Sequence, residues 1–219
     1  MKLRRTFVSL VSLAISTALE ARPATAPPRA VVFVHGFMNT GAHFRLMQQR
    51  LEKSGYTCYS PTLNPWDGRG GLENLAAQLK QDIDARYRPD QKITLIGFSM
   101  GGIISRYYLQ ELGGAPRCET LITISSPHHG TKTAWLYPTK GAEQMRPGSE
   151  LLNHLTATEN RLGKIKVISY RTPLDLMILP AQSSVWDRAE NVSFPVAAHP
   201  LMLLSNTVIS DIEKRLGER

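Results

Sequence analysis

Six short runs of apolar and β-branched residues punctuate this chain: Ala30 to Val34, Tyr56 to Tyr59, Ile93 to Gly97, Leu121 to Ile124, Ile165 to Ser169 and Val192 to Phe194. Helix-patterned stretches separate them. These are His43 to Lys53 stopped by Gly55, Leu72 to Tyr87 stopped before Pro89, and Met100 to Leu112 stopped by Gly113-Gly114; a shorter one begins near Ser149, and a terminal one runs from Pro200 to Leu216. Strands that are apolar on both sides must be covered on both faces, and parallel neighbours need a crossover helix between them. The alternation therefore predicts an α/β fold, a doubly wound parallel sheet with helices on both faces.

At 219 residues, 42% of them hydrophobic and 20% charged, the chain has the balance of one globular domain large enough to bury a core. That domain is expected over residues 30–219. Ahead of it, Lys2, Arg4 and Arg5 precede an apolar stretch from Phe7 to Leu19, and Ser16-Thr17-Ala18 supplies the small residues a signal peptidase reads. Residues 1–18 are expected to be a signal peptide, with an uncleaved anchor as the alternative, and residues 19–29 a Pro/Ala-rich linker. Export follows: secretion or a periplasmic home, with a membrane tether if the leader stays. Cleavage after Ala18 would leave 23 basic residues against 18 acidic, taking the net charge from +8 to +5. Such a surface suits anionic membranes or wall polymers, but no Lys/Arg run with interleaved aromatics suggests nucleic acid, and no nucleic-acid partner is expected.

In an open parallel sheet, ligands gather at the carboxyl ends of the strands. The chemistry-bearing residues of this chain fall there: Val34-His35-Gly36-Phe37 after the first run, Ser99 after the third, and Ser126-Pro127-His128-His129-Gly130-Thr131 after the fourth. Thr172-Pro173-Leu174-Asp175 follows the fifth and Ala197-Ala198-His199 the sixth. Ser99 lies in Gly97-Phe98-Ser99-Met100-Gly101, a G-x-S-x-G placed between strand and helix, which is the context of a nucleophile elbow. A Ser hydroxyl attacks only when an imidazole takes its proton, and the imidazole needs a carboxylate to hold its tautomer.

Ser99, Asp175 and His199 supply those groups in the chain order this type of fold uses. Asp187 and Asp67 compete for the acid role, and His128, His129 and His154 for the base. The oxyanion needs preset backbone donors, for which the N–H groups of Met100 and Phe37 are the candidates. His35 is expected to hold the loop after the first strand. Adjacent histidines point apart and no Cys or carboxylate cluster accompanies His128-His129, so no metal is assigned.

Taken together, Val34-His35-Gly36-Phe37, Gly97-Phe98-Ser99-Met100-Gly101-Gly102, Ser126 to Thr131, Asp175-Leu176-Met177-Ile178 and Asn191 to His199 resemble the α/β-hydrolase lipases, especially small secreted bacterial ones with a minimal core. The resemblance spans about residues 30–216. It implies a six-stranded sheet, hydrolysis of carboxylic esters through an acyl-enzyme, no cofactor, and the triad and oxyanion roles just named. A single Gly before Phe37 is similar to the lipases that accept medium and long acyl chains. Partners implied are a small-molecule ester or lipid and contact with a lipid interface, with the oligomeric state open.

The strand order it implies puts two strands between Cys58 and Cys118, about three spacings of ~4.8 Å, beyond disulfide reach, so both are read as thiols. Residues 131–164 depart from the pattern as an insertion with Trp135, Tyr137, Met145 and Leu151-Leu152, readable as a small lid or acyl-binding wall, or as a helix packed under the sheet edge. Thioesterases, amidases and acyltransferases share the same triad chemistry, and a noncatalytic relative would be expected to lack a triad member.

Overall fold

The computed structural model describes residues 29–218, so the expected leader at 1–18 and nearly all of the linker lie outside the described residues. Six strands form one sheet: β1 Ala30–Val34, β2 Thr57–Tyr59, β3 Ile93–Phe98, β4 Cys118–Ile124, β5 Lys166–Arg171 and β6 Glu190–Ser193. Their order is β2-β1-β3-β4-β5-β6, and every pairing is parallel. The expected parallel sheet is present, and β1 and β3 do lie between Cys58 and Cys118.

Side chains alternate faces along each strand. Val32, Val34, Leu95, Leu121 and Val167 enter one core, under α2 (Leu72–Arg86), α3 (Met100–Glu111) and α5 (Glu150–Ala157). Val31, Phe33, Ile96, Phe98, Ile122 and Tyr170 enter the other, under α1 (Arg45–Lys53) and α6 (Asn206–Gly217). The helices meet them with matching stripes, Leu72, Leu75, Ala76, Leu79 and Ile83 on α2 and Val208, Ile209, Ile212 and Leu216 on α6. Each large aliphatic side chain so buried contributes about 1.5–3 kcal/mol of transfer free energy. Among the described residues no helix is long and apolar enough to cross a membrane.

Two expectations need correcting. The terminal helix does not begin at Pro200: His199–Leu203 is a separate 3-10 turn with Pro200 in its first turn, and α6 starts after Ser205. The Ser205 hydroxyl accepts from the Val208 amide at 3.4 Å, so a cap sits inside what the apolar periodicity read as one helix. A short helix, α4 at Lys140–Gln144, was not foreseen; Thr139 caps it by accepting from Ala142 N.

Residues 131–164 prove to be composite. Ala134 and Met145 belong to its first part. In the second, Leu151, Leu152 and Leu155 on α5 and Leu162 beyond it are buried in the core over α3.

After β1 the chain adds β2 on one side and β3 on the other, so the order reverses between β1 and β3. A crevice opens at such a switch point, at the carboxyl ends of the strands. The loop after β1 and Ser99 both stand there.

Candidate active site

Ser99 joins β3 to α3 with φ 52° and ψ −122°, a conformation L-residues adopt only under constraint. The constraint is visible on both sides. The Ser99 amide donates to the Ile124 carbonyl at 2.8 Å, and its carbonyl accepts from Gly102 N at 3.1 Å. A Cβ on Gly101 would stand 2.0 Å from the Val34 carbonyl oxygen, so α3 can pack against β1 only because that residue has no side chain. Among the described residues two more non-glycine residues have positive φ, Met38 at 55° after β1 and Ser125 at 47° after β4. Backbone strain thus gathers at three adjacent strand ends.

Asp175 and His199 come from the loops after β5 and β6. The His199 Nδ1–H donates to Asp175 Oδ2 at 2.8 Å, and both residues are buried. The other carboxylate oxygen accepts from the amides of Met177 and Ile178, each at 2.9 Å. Burial pushes the Asp175 carboxyl up, but the His199 hydrogen bond, its charge and the two amides outweigh that and leave it below the ordinary carboxylate value. The His199 ring rests on Phe98, the residue before Ser99, with centroids 4.7 Å apart.

Met100 opens α3, so its amide has no intrahelical carbonyl to bond and lies at the positive end of the helix dipole. In the loop after β1, Met38 N–H donates to Trp66 O and Asn39 N–H to Gly36 O, while no protein acceptor among the described residues takes the Phe37 amide. His35 holds this loop, as expected. It is fully buried, its Nε2 accepts from Leu63 N at 2.9 Å, and the Nδ1–H that remains donates to Gly36 O at 2.9 Å. Burial lowers its pKa, which suits a neutral ring in that double role.

Ser99 opens on a small cavity of about 40 Å³, lined by Phe37, Thr131, Thr133, Ala134, Tyr137, Ala142, Met145 and Met177. Phe37 and Tyr137 meet edge to face at 4.9 Å. The first part of the 131–164 segment therefore supplies a wall of this cavity. Around it, Met38, Trp66, Trp135, Leu136, Leu176 and Met177 leave large apolar surface exposed at the same end of the sheet.

The rival residues are paired elsewhere or face solvent. Asp187 is exposed, before β6, and Asp67 pairs with Arg69 at 2.7 Å. His154 faces Glu111 at 3.0 Å, His129 is exposed, and buried His128 has its nitrogens facing Arg106 and Thr123. Among the described residues no group of three or more His, Cys, Asp or Glu side chains could hold a metal ion.

The family model for palmitoyl protein thioesterases matches residues 30–161, more than half of the chain. The chain belongs to that family. Solved structures place this palmitoyl protein thioesterase relative within the α/β-hydrolase fold. The mature form of the Bacillus licheniformis lipase BlEst2 superposes with a TM-score of 0.69 at 19% identity, covering 89% of this chain and 94% of that one. Lipase B of Aspergillus fumigatus gives 0.66 at 14% identity over 80% of this chain and 49% of that one. The Arabidopsis methylesterase MES16 gives 0.64 at 14%, over 87% of this chain and all of the other.

Two threonines that the sequence placed at strand ends in this palmitoyl protein thioesterase family chain prove to be loop clasps, a role not read there. The Thr172 hydroxyl donates to Val196 O at 2.6 Å and accepts from Leu174 N at 3.1 Å. The Thr131 hydroxyl donates to Met177 O at 3.0 Å and accepts from Leu179 N at 2.8 Å. The first had a signal, a Thr directly before Pro173 at a strand end, where a hydroxyl turn is favoured. The second had none, because its partners lie more than forty positions away.

Proposed function

We propose that this chain is a serine hydrolase that cleaves carboxylic esters of acyl-glycerol-like lipids through a covalent acyl-enzyme. In this reading His199 takes the Ser99 proton as Oγ attacks the acyl carbon. Asp175 stabilises the imidazolium, and the amides of Met100 and Phe37 receive the oxyanion. His199 then protonates the leaving alcohol, and water, deprotonated by the same ring, releases the acid. The observation that carries the reading is the buried 2.8 Å Asp175–His199 hydrogen bond, with the His199 ring packed on Phe98, directly before a serine held at φ 52°. The apolar cavity wall and the apolar rim support an acyl chain as the group bound and a lipid interface as its source. At about 40 Å³ the cavity holds little more than one water-sized group, and flexible Met145 and Met177 in its lining are the side chains suited to adapt to a chain.

A second reading has its own support. The matching family is described as palmitoyl protein thioesterase, and the same attack opens a thioester with a thiol as leaving group. Fluorophosphonate labelling of the full-length chain and of Ser99→Ala tests the mechanism, with turnover of matched octanoyl oxygen and sulfur esters run alongside. Labelling and turnover lost together in the variant are the expected result. Equal labelling of both proteins overturns the mechanism, and a preference of about tenfold or more for the thioester in kcat/KM replaces the ester reading with the second.

The basic and apolar leader of residues 2–19 supports export as part of the same proposal. Intact mass of protein recovered outside the cytoplasm should show a chain starting at Leu19 or near it; if all of it stays in the cytoplasm with Met1 in place, the proposal fails.

A further inference from the structure

A buried polar chain runs beneath the loop that carries Asp175. On α3 the Arg106 guanidinium, 1% exposed, pairs with Glu159 at 2.9 Å and lies 4.3 Å over the Trp186 ring. It directs Nη1 at His128 Nδ1, 3.4 Å away. His128 is stacked on Trp186 with centroids 4.5 Å apart, and its Nε2 lies 3.0 Å from Thr123 Oγ1. The Thr123 hydroxyl donates to Ser169 Oγ at 3.0 Å, and Ser169 donates to the Ser184 carbonyl at 2.7 Å.

One fact orders every proton along this chain. A guanidinium only donates, so His128 Nδ1 must accept. The neutral ring then carries its hydrogen on Nε2 and gives it to Thr123, which frees the Thr123 hydrogen for Ser169 and the Ser169 hydrogen for Ser184 O. Burial, then the positive charge of Arg106 and the neighbouring His129 ring, holds the His128 pKa well below the ordinary value, which keeps the ring neutral.

The chain ends on the loop that runs from β5 to β6. Asp175 stands near the start of that loop and Ser184 in its far half. The segment that carries His128 fastens the same loop between those points. Thr131 bonds Met177 O and Leu179 N, Lys132 N–H donates to Leu179 O at 2.9 Å, and the Ser183 hydroxyl donates to Gly130 O. Met177 is also one of the two residues whose amides hold Asp175 Oδ1.

We propose that His128 is a positioning residue for Asp175: through Thr123, Ser169 and Ser184 it locks the far half of the acid loop, and through its own segment it locks the near half. The inference rests on the triad proposed above. It assigns a role to the buried member of a histidine pair that the triad does not use.

The test combines kinetics on p-nitrophenyl octanoate with the low-field proton resonance of the His199 Nδ1–H, which needs no turnover. His128→Phe keeps a ring on Trp186 and removes both nitrogens, His128→Gln keeps one acceptor and one donor, and Thr123→Val breaks the next link while leaving Arg106 alone. His128→Phe and Thr123→Val should lower kcat about tenfold to a hundredfold, as expected when a reacting group is displaced slightly. KM should change by less than about twofold, and the low-field resonance should shift or broaden. His128→Gln should retain most of both.

Folded His128→Phe and Thr123→Val proteins with unchanged kcat and resonance overturn the proposal, as does a loss confined to KM. If His128→Phe does not fold, Thr123→Val decides. A parent chain that shows no turnover but whose resonance responds to the substitutions would sink the esterase reading and leave the positioning role standing.

Discussion

The hydroxyl of Thr172 donates to the carbonyl of Val196 at 2.6 Å, tying the strand end that leads into Asp175 to the segment that leads into His199. Thr172 is fully buried and also accepts from Leu174 N, so one side chain fastens both loops. Thr172→Val keeps the shape but leaves a half-buried carbonyl and a half-buried amide without that partner. We expect a loss of about 1 kcal/mol in urea unfolding, with kcat falling further than the loss of folded protein explains. Unchanged unfolding and unchanged kcat would show that the clasp holds nothing.

Ser99 sits where glycine is at ease and serine is not. Ser99→Gly should therefore be more stable than the parent by about 1 kcal/mol, strain relief exceeding the added flexibility of the unfolded chain. Ser99→Ala should gain nothing, and neither variant should be labelled by a fluorophosphonate. Equal unfolding midpoints for the Gly and Ala variants would mean that the elbow stores no strain.

Gly101 has a backbone oxygen where its Cβ would be, at 2.0 Å, whereas a Cβ on Gly217 would meet nothing within 4 Å. Gly101→Ala should destabilise the chain by about 3 kcal/mol or more, because the obstacle is the β1 backbone and not a side chain that can swing away. Gly217→Ala serves as the neutral control. Thermal unfolding of the pair reads the contrast directly, and a Gly101→Ala midpoint near the parent's would refute it.

Acid should weaken the fold partly through Asp175. Its folded pKa lies below the ordinary carboxylate value of 3.8, so the unfolded chain takes up that proton first as pH falls. The stabilisation is complete above the unfolded value and is lost as pH drops through the folded one. Urea midpoints measured from about pH 6 to pH 2 should fall more steeply for the parent than for Asp175→Asn. Parallel curves would remove Asp175 from the acid response. Turnover should fall far more in Asp175→Asn than in Asp187→Asn, since Asp187 is exposed before β6.

Much of this architecture is local and therefore readable in order along the chain. Apolar strand runs, Gly55 and Gly113 at helix ends, and a G-x-S-x-G between strand and helix each act within a few residues, and the positions of β1 to β5 and of Ser99 follow from them. The exposed edge strand β6 starts two residues and ends one residue before the expected run; α6 lost its first turns to a cap at Ser205, because apolar periodicity cannot distinguish a 3-10 turn that buries Met202 and Leu203 from a continuing helix.

By itself the sequence determined a parallel α/β sheet, its crevice, and a short set of residues that face it, since all of these follow from pattern and chain order. Only the tertiary structure decided which carboxylate meets which imidazole: Asp175 lies 2.8 Å from His199, while Asp67 pairs with Arg69 and Asp187 faces solvent. It also decided that Thr131, Thr172 and the Arg106–His128–Thr123–Ser169 chain frame the acid loop. The physical reason is range. Hydrogen bonds between residues as far apart as Thr123 and Ser169 form only after packing has closed the loops between them, and no local pattern records that closure.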